Sequence, residues 1–180
     1  MRIIAGVWRG RQLIAPKGDT TRPTADRTRE ALFSMLLSRL GSFEGLRVAD
    51  FFAGSGALGL EALSRRAASC TFVEQDGDAL NALRTNISAL KAQADIRAQS
   101  VMALPPTKEP CDLILIDPPY GTGAGQVALD RCRRLGWVAD SAIVSIETAR
   151  NETFEVAGFA TDAERIHGKA KITLLRPIAQ

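Results

Sequence analysis

At 180 residues, with a net charge of +3 and 46% hydrophobic residues, the chain has the size of one domain with a buried core. It contains no run of 18 apolar residues, which excludes a membrane-spanning helix, and Met1-Arg2-Ile3-Ile4-Ala5-Gly6 lacks a signal peptide's long apolar region. Cys70, Cys111 and Cys132 show no Cys-x-x-Cys spacing, which argues against a disulfide framework or a metal site and predicts free thiols in a reducing cytoplasm.

Charge is unevenly placed. Residues 1–40 hold Arg2, Arg9, Arg11, Lys17, Arg22, Arg27, Arg29 and Arg39 against Asp19, Asp26 and Glu30, a net +5, which leaves −2 for residues 41–180. A polyanion met at one end suits this split. Arg2–Ala5 and Gln12–Ala15 read as two short strands about a glycine-flanked tip carrying Trp8, Arg9 and Arg11. Trp8 is placed either to stack on a base or to pack on the body. Pro23 and Thr24, the latter as N-cap, open a helix to about Leu40 with Leu32, Phe33, Leu36 and Leu40 on its apolar stripe. Arg22, Arg27 and Arg29 crowd its first turns, where the helix dipole disfavours cations. An external anion is their expected partner; a solvated face is the alternative.

From residue 46 the pattern alternates: strand Leu46–Phe51, helix Ala57–Arg66, strand Cys70–Glu74, helix Asp78–Lys91, then strands Asp95–Gln99 and Leu113–Asp117. Helix Gln126–Leu135, strand Ala142–Glu147 and two strands between Thr153 and Arg176, about a turn near Gly168-Lys169, complete it. Apolar strands alternating with helices predict one α/β domain over residues 1–180: a basic segment (1–40) on an α/β core (41–180). Its sheet is expected to be seven-stranded and mostly parallel, with the last strand antiparallel, helices on both faces, and the basic hairpin and helix over the crevice.

Two stretches carry chemistry. The first is Val48-Ala49-Asp50-Phe51-Phe52-Ala53-Gly54-Ser55-Gly56-Ala57-Leu58-Gly59, where Gly54, Gly56 and Gly59 follow G-x-G-x-x-G and Glu74 ends the next strand. That spacing fits a dinucleotide, with the acid on a ribose diol, so a nicotinamide dehydrogenase is one reading and plain turn formation another. S-adenosylmethionine is favoured. There is no second domain for a substrate, and Asp50 would meet a pyrophosphate as a like charge but suits a cationic amino group and sulfonium. Ser100, Val101 and Met102, after the third strand, are expected to complete the cofactor face with Gln99.

The second stretch is Asp112-Leu113-Ile114-Leu115-Ile116-Asp117-Pro118-Pro119-Tyr120. Four aliphatics read as a strand buried on both faces, and two prolines end it as a rigid extended turn. The Asp117 carboxylate and Pro118 carbonyl are acceptors beside the Tyr120 ring, which suits a planar ring bearing an amino group. The bland alternative is a strand-ending turn with a rim aromatic.

The tetrapeptide Asp117–Tyr120 resembles the [Asp/Asn]-Pro-Pro-[Tyr/Phe] motif of S-adenosylmethionine-dependent amino-methyltransferases. Arg2–Gly6 with Trp8–Arg11, Arg22-Pro23-Thr24 with Arg27 and Arg29–Phe33, Asp50–Gly56 with Gly59–Ala62, and Val73-Glu74 resemble the bacterial small-subunit (16S) ribosomal RNA guanine-N2-methyltransferases, the RsmD family. That resemblance implies a class I, Rossmann-like fold and methyl transfer to the 2-amino group of one guanine. The partner it implies is ribosomal RNA, naked or within an assembling or assembled small subunit, met by a cytoplasmic monomer. Two departures stand out: Gln99-Ser100-Val101-Met102 lacks the Asp or Asn often found near adenine, and Ile166-His167-Gly168-Lys169 replaces a Tyr-Gly turn, with His167 read as a solvated turn residue.

In the expected reaction Asp117 and the Pro118 carbonyl accept the amine's N–H bonds, Pro119 stiffens the turn and Tyr120 clamps the flipped base. A DNA adenine or cytosine amino-methyltransferase shares this chemistry but usually needs a target-recognition insert. A protein-glutamine methyltransferase has no use for the basic arm. A ribosome-assembly RNA-binding module that has lost transfer would not need Asp50, Glu74 and Asp117.

Overall fold

The computed structural model describes residues 1–18 and 23–179, with the side chains of Pro23 and Thr24 outside that description. Apolar runs joined by helical crossovers bury both faces when they pair in parallel. Among the described residues the strands are β1 (Arg47–Phe51), β2 (Ser69–Glu74), β3 (Asp95–Ala98), β4 (Cys111–Ile116), β5 (Val138–Ala149), β6 (Phe159–His167) and β7 (Ala170–Pro177). They form one seven-stranded sheet in the order β3-β2-β1-β4-β5-β7-β6. β1 to β5 pair in parallel, and β7 lies antiparallel between β5 and β6, as expected of the last strand.

Helices α1 (Pro23–Leu40), α2 (Ala57–Ser64), α3 (Gly77–Leu90) and α4 (Ala124–Arg134) and a single 3-10 turn, Val101–Ala103, cover the two faces. The alternation within Leu113–Ile116 shows how. Leu113 and Leu115 join Val48, Phe72 and Ile143 beneath Phe33, Leu36, Leu60 and Leu83. Ile114 and Ile116 join Phe51, Val73 and Val144 beneath Leu129, Cys132 and Leu104 on the other side. The three cysteines are buried free thiols.

Most boundaries fall within two residues of expectation; β6 starts at Phe159, six residues after the expected Thr153, and β5 also departs. It starts four residues early because Val138 pairs with Cys111 ahead of a register shift, a tertiary contact that the half-polar Val138-Ala139-Asp140-Ser141 does not announce. Helix α1 begins at Pro23, whose fixed φ suits a first helical position; the capping expected of Thr24 falls on a side chain outside the description.

The amino-terminal segment is a hairpin reduced to one bridge, Arg2 with Gln12. It is clasped to helices α2 and α3. The buried Glu61 carboxylate accepts the Ile4 and Ala5 N–H groups at 2.9 and 3.0 Å. The Ser64 carbonyl and hydroxyl accept those of Val7 and Trp8. Asn86 accepts from Ile14 N–H and donates to the Ile14 and Ser55 carbonyls. Gly6, at φ +88°, passes so close that a Cβ would stand 2.0 Å from the Ser64 oxygen.

This docking corrects the expected placement over the crevice. Helix α2 starts at the carboxyl end of β1 and runs back antiparallel to the strands, as a crossover must, so Ser64 lies toward their amino ends. The hairpin tip lies there with it. Helix α1 does reach the carboxyl-end side: Thr28 Oγ1 is 3.4 Å from His167 Nδ1, and His167 pairs with Ala170, itself opposite Ala149 at the end of β5.

Candidate active site

Sheet order reverses at β1, which has β2 on one side and β4 on the other, and the carboxyl ends at such a point leave a crevice. A cleft of about 710 Å³ opens there, walled by Phe52, Glu74, Asp76, Gln99, Ser100, Val101, Asp117–Tyr120 and Glu147. Strand ends thus bring Glu74, Ser100, Val101, Asp117, Pro118, Pro119 and Tyr120 to one space, together with Gln99. Met102 is not among the cleft's walls; its side chain packs against the core under α4.

The glycine loop shapes the cleft from behind. Gly54 N–H donates to Glu74 Oε2 at 2.8 Å, and Glu74 Oε1 accepts from Gln75 and Asp76 N–H at 2.9 Å. Gly59 N–H donates to Asp50 Oδ2 at 2.9 Å. Gly56 N–H is bonded to Ala53. A pyrophosphate needs such donors, and here carboxylates and a carbonyl hold them. Gly56 is required at φ +83°, where a Cβ would lie 2.4 Å from Leu83, and Gly59 because a Cβ would meet the Phe72 ring at 2.4 Å. Both are packing glycines, so the expectation that Gly56 and Gly59 line the cofactor space is corrected to one of support, whereas a Cβ on Gly54, at φ +56°, would meet nothing within 4 Å.

Asp50 is corrected in the same sense. It is 1% exposed, enclosed behind the loop and bonded to the start of α2. Burial raises its proton affinity well above the usual carboxylate range; the Gly59 N–H opposes this, and the charges of Asp117 and Glu74 add to it.

Asp117 stands exposed just past β4, its N–H on the Phe51 carbonyl at 3.4 Å. The turn beyond is braced. Tyr120 donates its hydroxyl to Glu147 Oε1 at 2.5 Å, Thr122 Oγ1 donates to the Pro119 carbonyl at 2.8 Å, and Glu152 accepts the N–H groups of Gly121 and Ala149. Burial and the Glu147 carboxylate push the Tyr120 phenol up. Burial also raises Glu147, against the lowering effect of the Tyr120 hydroxyl. A smaller cleft, about 340 Å³, opens on the far side of the turn between the start of α4 and Ile146–Thr148 with Asn151–Phe154. The two clefts share Pro118, Pro119, Tyr120, Ala124 and Glu147 as walls. Sequence reasoning passed over Glu147 and Glu152. Glu147 carried the same signal as Glu74 and Asp117, an acid closing an apolar strand.

The basic residues divide. Arg9 and Arg27 are exposed. Arg11 is exposed and donates from Nη2 to the Ala89 carbonyl at 2.8 Å. Trp8 is half-buried against the α2–α3 core, the packing alternative. Arg29 is 5% exposed, pairs with Asp26 at 3.2 Å and Glu61 at 4.0 Å, and donates to the Arg2 carbonyl. It is a clasp between helix and hairpin, which corrects its expected RNA-facing role. Arg22 lies outside the described residues. His167 is half-buried at Thr28 rather than solvated.

The family model described as "Conserved hypothetical protein 95" matches residues 1–176. The ribosomal RNA small subunit methyltransferase D of Escherichia coli K12 is 35% identical over 100% of this chain and 91% of its own length. That of Haemophilus influenzae is 37% identical over 84% and 80%. The solved structure of yhhF from Escherichia coli superposes with a TM-score of 0.87 at 37% identity, covering 100% of this chain and 99% of that one. With that fold, that cleft and the Asp-Pro-Pro-Tyr turn on its wall, the chain belongs to the ribosomal RNA small subunit methyltransferase D family.

Proposed function

We propose that the protein transfers a methyl group from S-adenosylmethionine to the exocyclic 2-amino group of a guanine in small-subunit ribosomal RNA, acting as a cytoplasmic monomer. The observation that carries this reading is the meeting of two clefts at one wall, Pro118–Tyr120 with Glu147. The larger, about 710 Å³, has room for a nucleoside with its amino-acid arm, and the smaller, about 340 Å³, has room for a base. The donor set fits an adenosine without phosphates, since the N–H groups of Gly54, Gly56 and Gly59 are bonded to Glu74, Ala53 and Asp50. Among the described residues Glu74 Oε2 accepts only the Gly54 N–H and retains a lone pair for a ribose hydroxyl, because a carboxylate has about four acceptor sites.

When bound, S-adenosylmethionine supplies an electrophilic methyl on a sulfonium. Glu74 would accept a ribose hydroxyl, and Ser100 and Val101 would frame the adenine. Asp117 and the Pro118 carbonyl would accept the two N–H bonds of the target amine, turning its lone pair out of ring conjugation and toward the methyl. Tyr120, held through its hydroxyl by Glu147, would stack on the base and offset the few kcal/mol of unstacking. The methyl would pass to the nitrogen as its bond to sulfur breaks, S-adenosylhomocysteine being the leaving thioether, and the amine's extra proton would go to Asp117 or to water. Holding the reactants in line is the main contribution such a site makes.

The test is calorimetry with S-adenosylmethionine and NADH, then transfer of labelled methyl to small-subunit RNA from a deletion strain with mass mapping of the product. Binding of S-adenosylmethionine and appearance of one N2-methylguanine are expected. NADH binding without S-adenosylmethionine binding, or methylation elsewhere than a guanine 2-amino group, would overturn the reading.

A further inference from the structure

We infer that Glu147 reads the target base, accepting the N1–H of guanine beside the amine held by Asp117; this rests on the methyl-transfer reading above. Ile116 pairs with Ile146, so the next residues, Asp117 and Glu147, follow in step on adjacent parallel strands about 4.8 Å apart. Glu147 lines both clefts. Its Oε1 is taken by the Tyr120 hydroxyl, whereas Oε2 has no hydrogen bond among the described residues. The Tyr120 ring and a carboxylate oxygen therefore bound the same space, one suited to a base face and the other to a base edge.

The chemistry selects one base. Guanine presents N2–H and N1–H side by side, two donors for two carboxylates, whereas adenine presents an acceptor at N1. The turn motif alone accepts an amino group of any base, and Glu147 adds the discrimination.

The probe is 2-aminopurine, which keeps the methyl-accepting 2-amino group but lacks N1–H. Small-subunit RNA carrying guanine or 2-aminopurine at the mapped position, joined by ligation, is compared for kcat/KM with the wild type and Glu147→Gln. The wild type is expected to prefer guanine by at least tenfold, the worth of one hydrogen bond to a charged group. The variant is expected to bring that ratio within about threefold of unity, since an amide can turn either its oxygen or its N–H to the base, while S-adenosylmethionine affinity holds. If Glu147 acts only by holding Tyr120, both RNAs slow equally and the ratio stays, which overturns the inference. Equal use of the two RNAs by the wild type overturns it without any variant. Absence of transfer to guanine sinks the parent reading instead.

Discussion

Glu74→Ala offers a sharp test of the cofactor cleft. In the wild type its carboxylate accepts three backbone N–H groups, those of Gly54, Gln75 and Asp76. Gln75 and Asp76 are exposed, so water replaces the lost acceptor and the fold loses only about 1 kcal/mol. That corresponds to a fall of roughly 2–4 °C in Tm for a chain of this size. The ligand loses more. A ribose hydroxyl bonded to the carboxylate's remaining site is worth about 2 kcal/mol, and each 1.4 kcal/mol is tenfold, so Kd for S-adenosylmethionine should rise roughly thirtyfold. Glu74→Gln keeps one acceptor oxygen and should fall between. Calorimetry beside a thermal melt separates the two effects. An alanine variant that melts normally and binds S-adenosylmethionine within threefold of wild type would refute the assignment.

Asp117→Ala should leave S-adenosylmethionine affinity nearly intact while single-turnover transfer falls about a hundredfold, the cost of one oriented bond to a reacting group; near-normal transfer would remove Asp117 from the mechanism. Asp50→Asn tests the buried carboxylate. Burial raises its folded pKa, so the folded state binds the extra proton between the unfolded value near 3.9 and the folded one, and wild-type stability declines as pH rises through that window. The asparagine variant, which still accepts Gly59 N–H, lacks this decline. Urea melts from pH 4 to 8 should show it gaining on the wild type, and parallel curves would contradict the argument. Arg27→Ala should weaken RNA binding and flatten the log–log salt slope by roughly 0.7 per lost contact. Arg29→Ala should lower Tm and leave that slope unchanged; the reverse pattern would reassign both.

The sheet was legible because its signals are local. Leu113–Ile116 alternates between two cores, and the acids at strand ends need only the parallel topology to converge. Arg29 shows what was not legible. Its place in the first turns looked like a bid for phosphate, but its partner Glu61 lies on another helix, and no periodicity in either segment links them. Gly56 and Gly59 were illegible for a related reason: spacing says where the loop bends, while only packing on Phe72 and Leu83 says which glycines face the core. Glu147 needed no tertiary information, only the logic already applied to Glu74.

The clasp on the hairpin has a consequence for how the chain is made. Ile4 is bonded to a carboxylate 57 residues further on and Ile14 to an amide 72 residues further on. During synthesis the first eighteen residues therefore emerge well ahead of the helices that hold them, and with a single bridge of their own they cannot persist as an isolated hairpin. Their docking must follow the emergence of Glu61, Ser64 and Asn86. Until then the basic arm is an open polycation beside the translating ribosome, whose surface is itself ribosomal RNA. Chains with charge-neutral arms should for that reason differ from the wild type in yield of folded protein during translation, even where their equilibrium stability is the same.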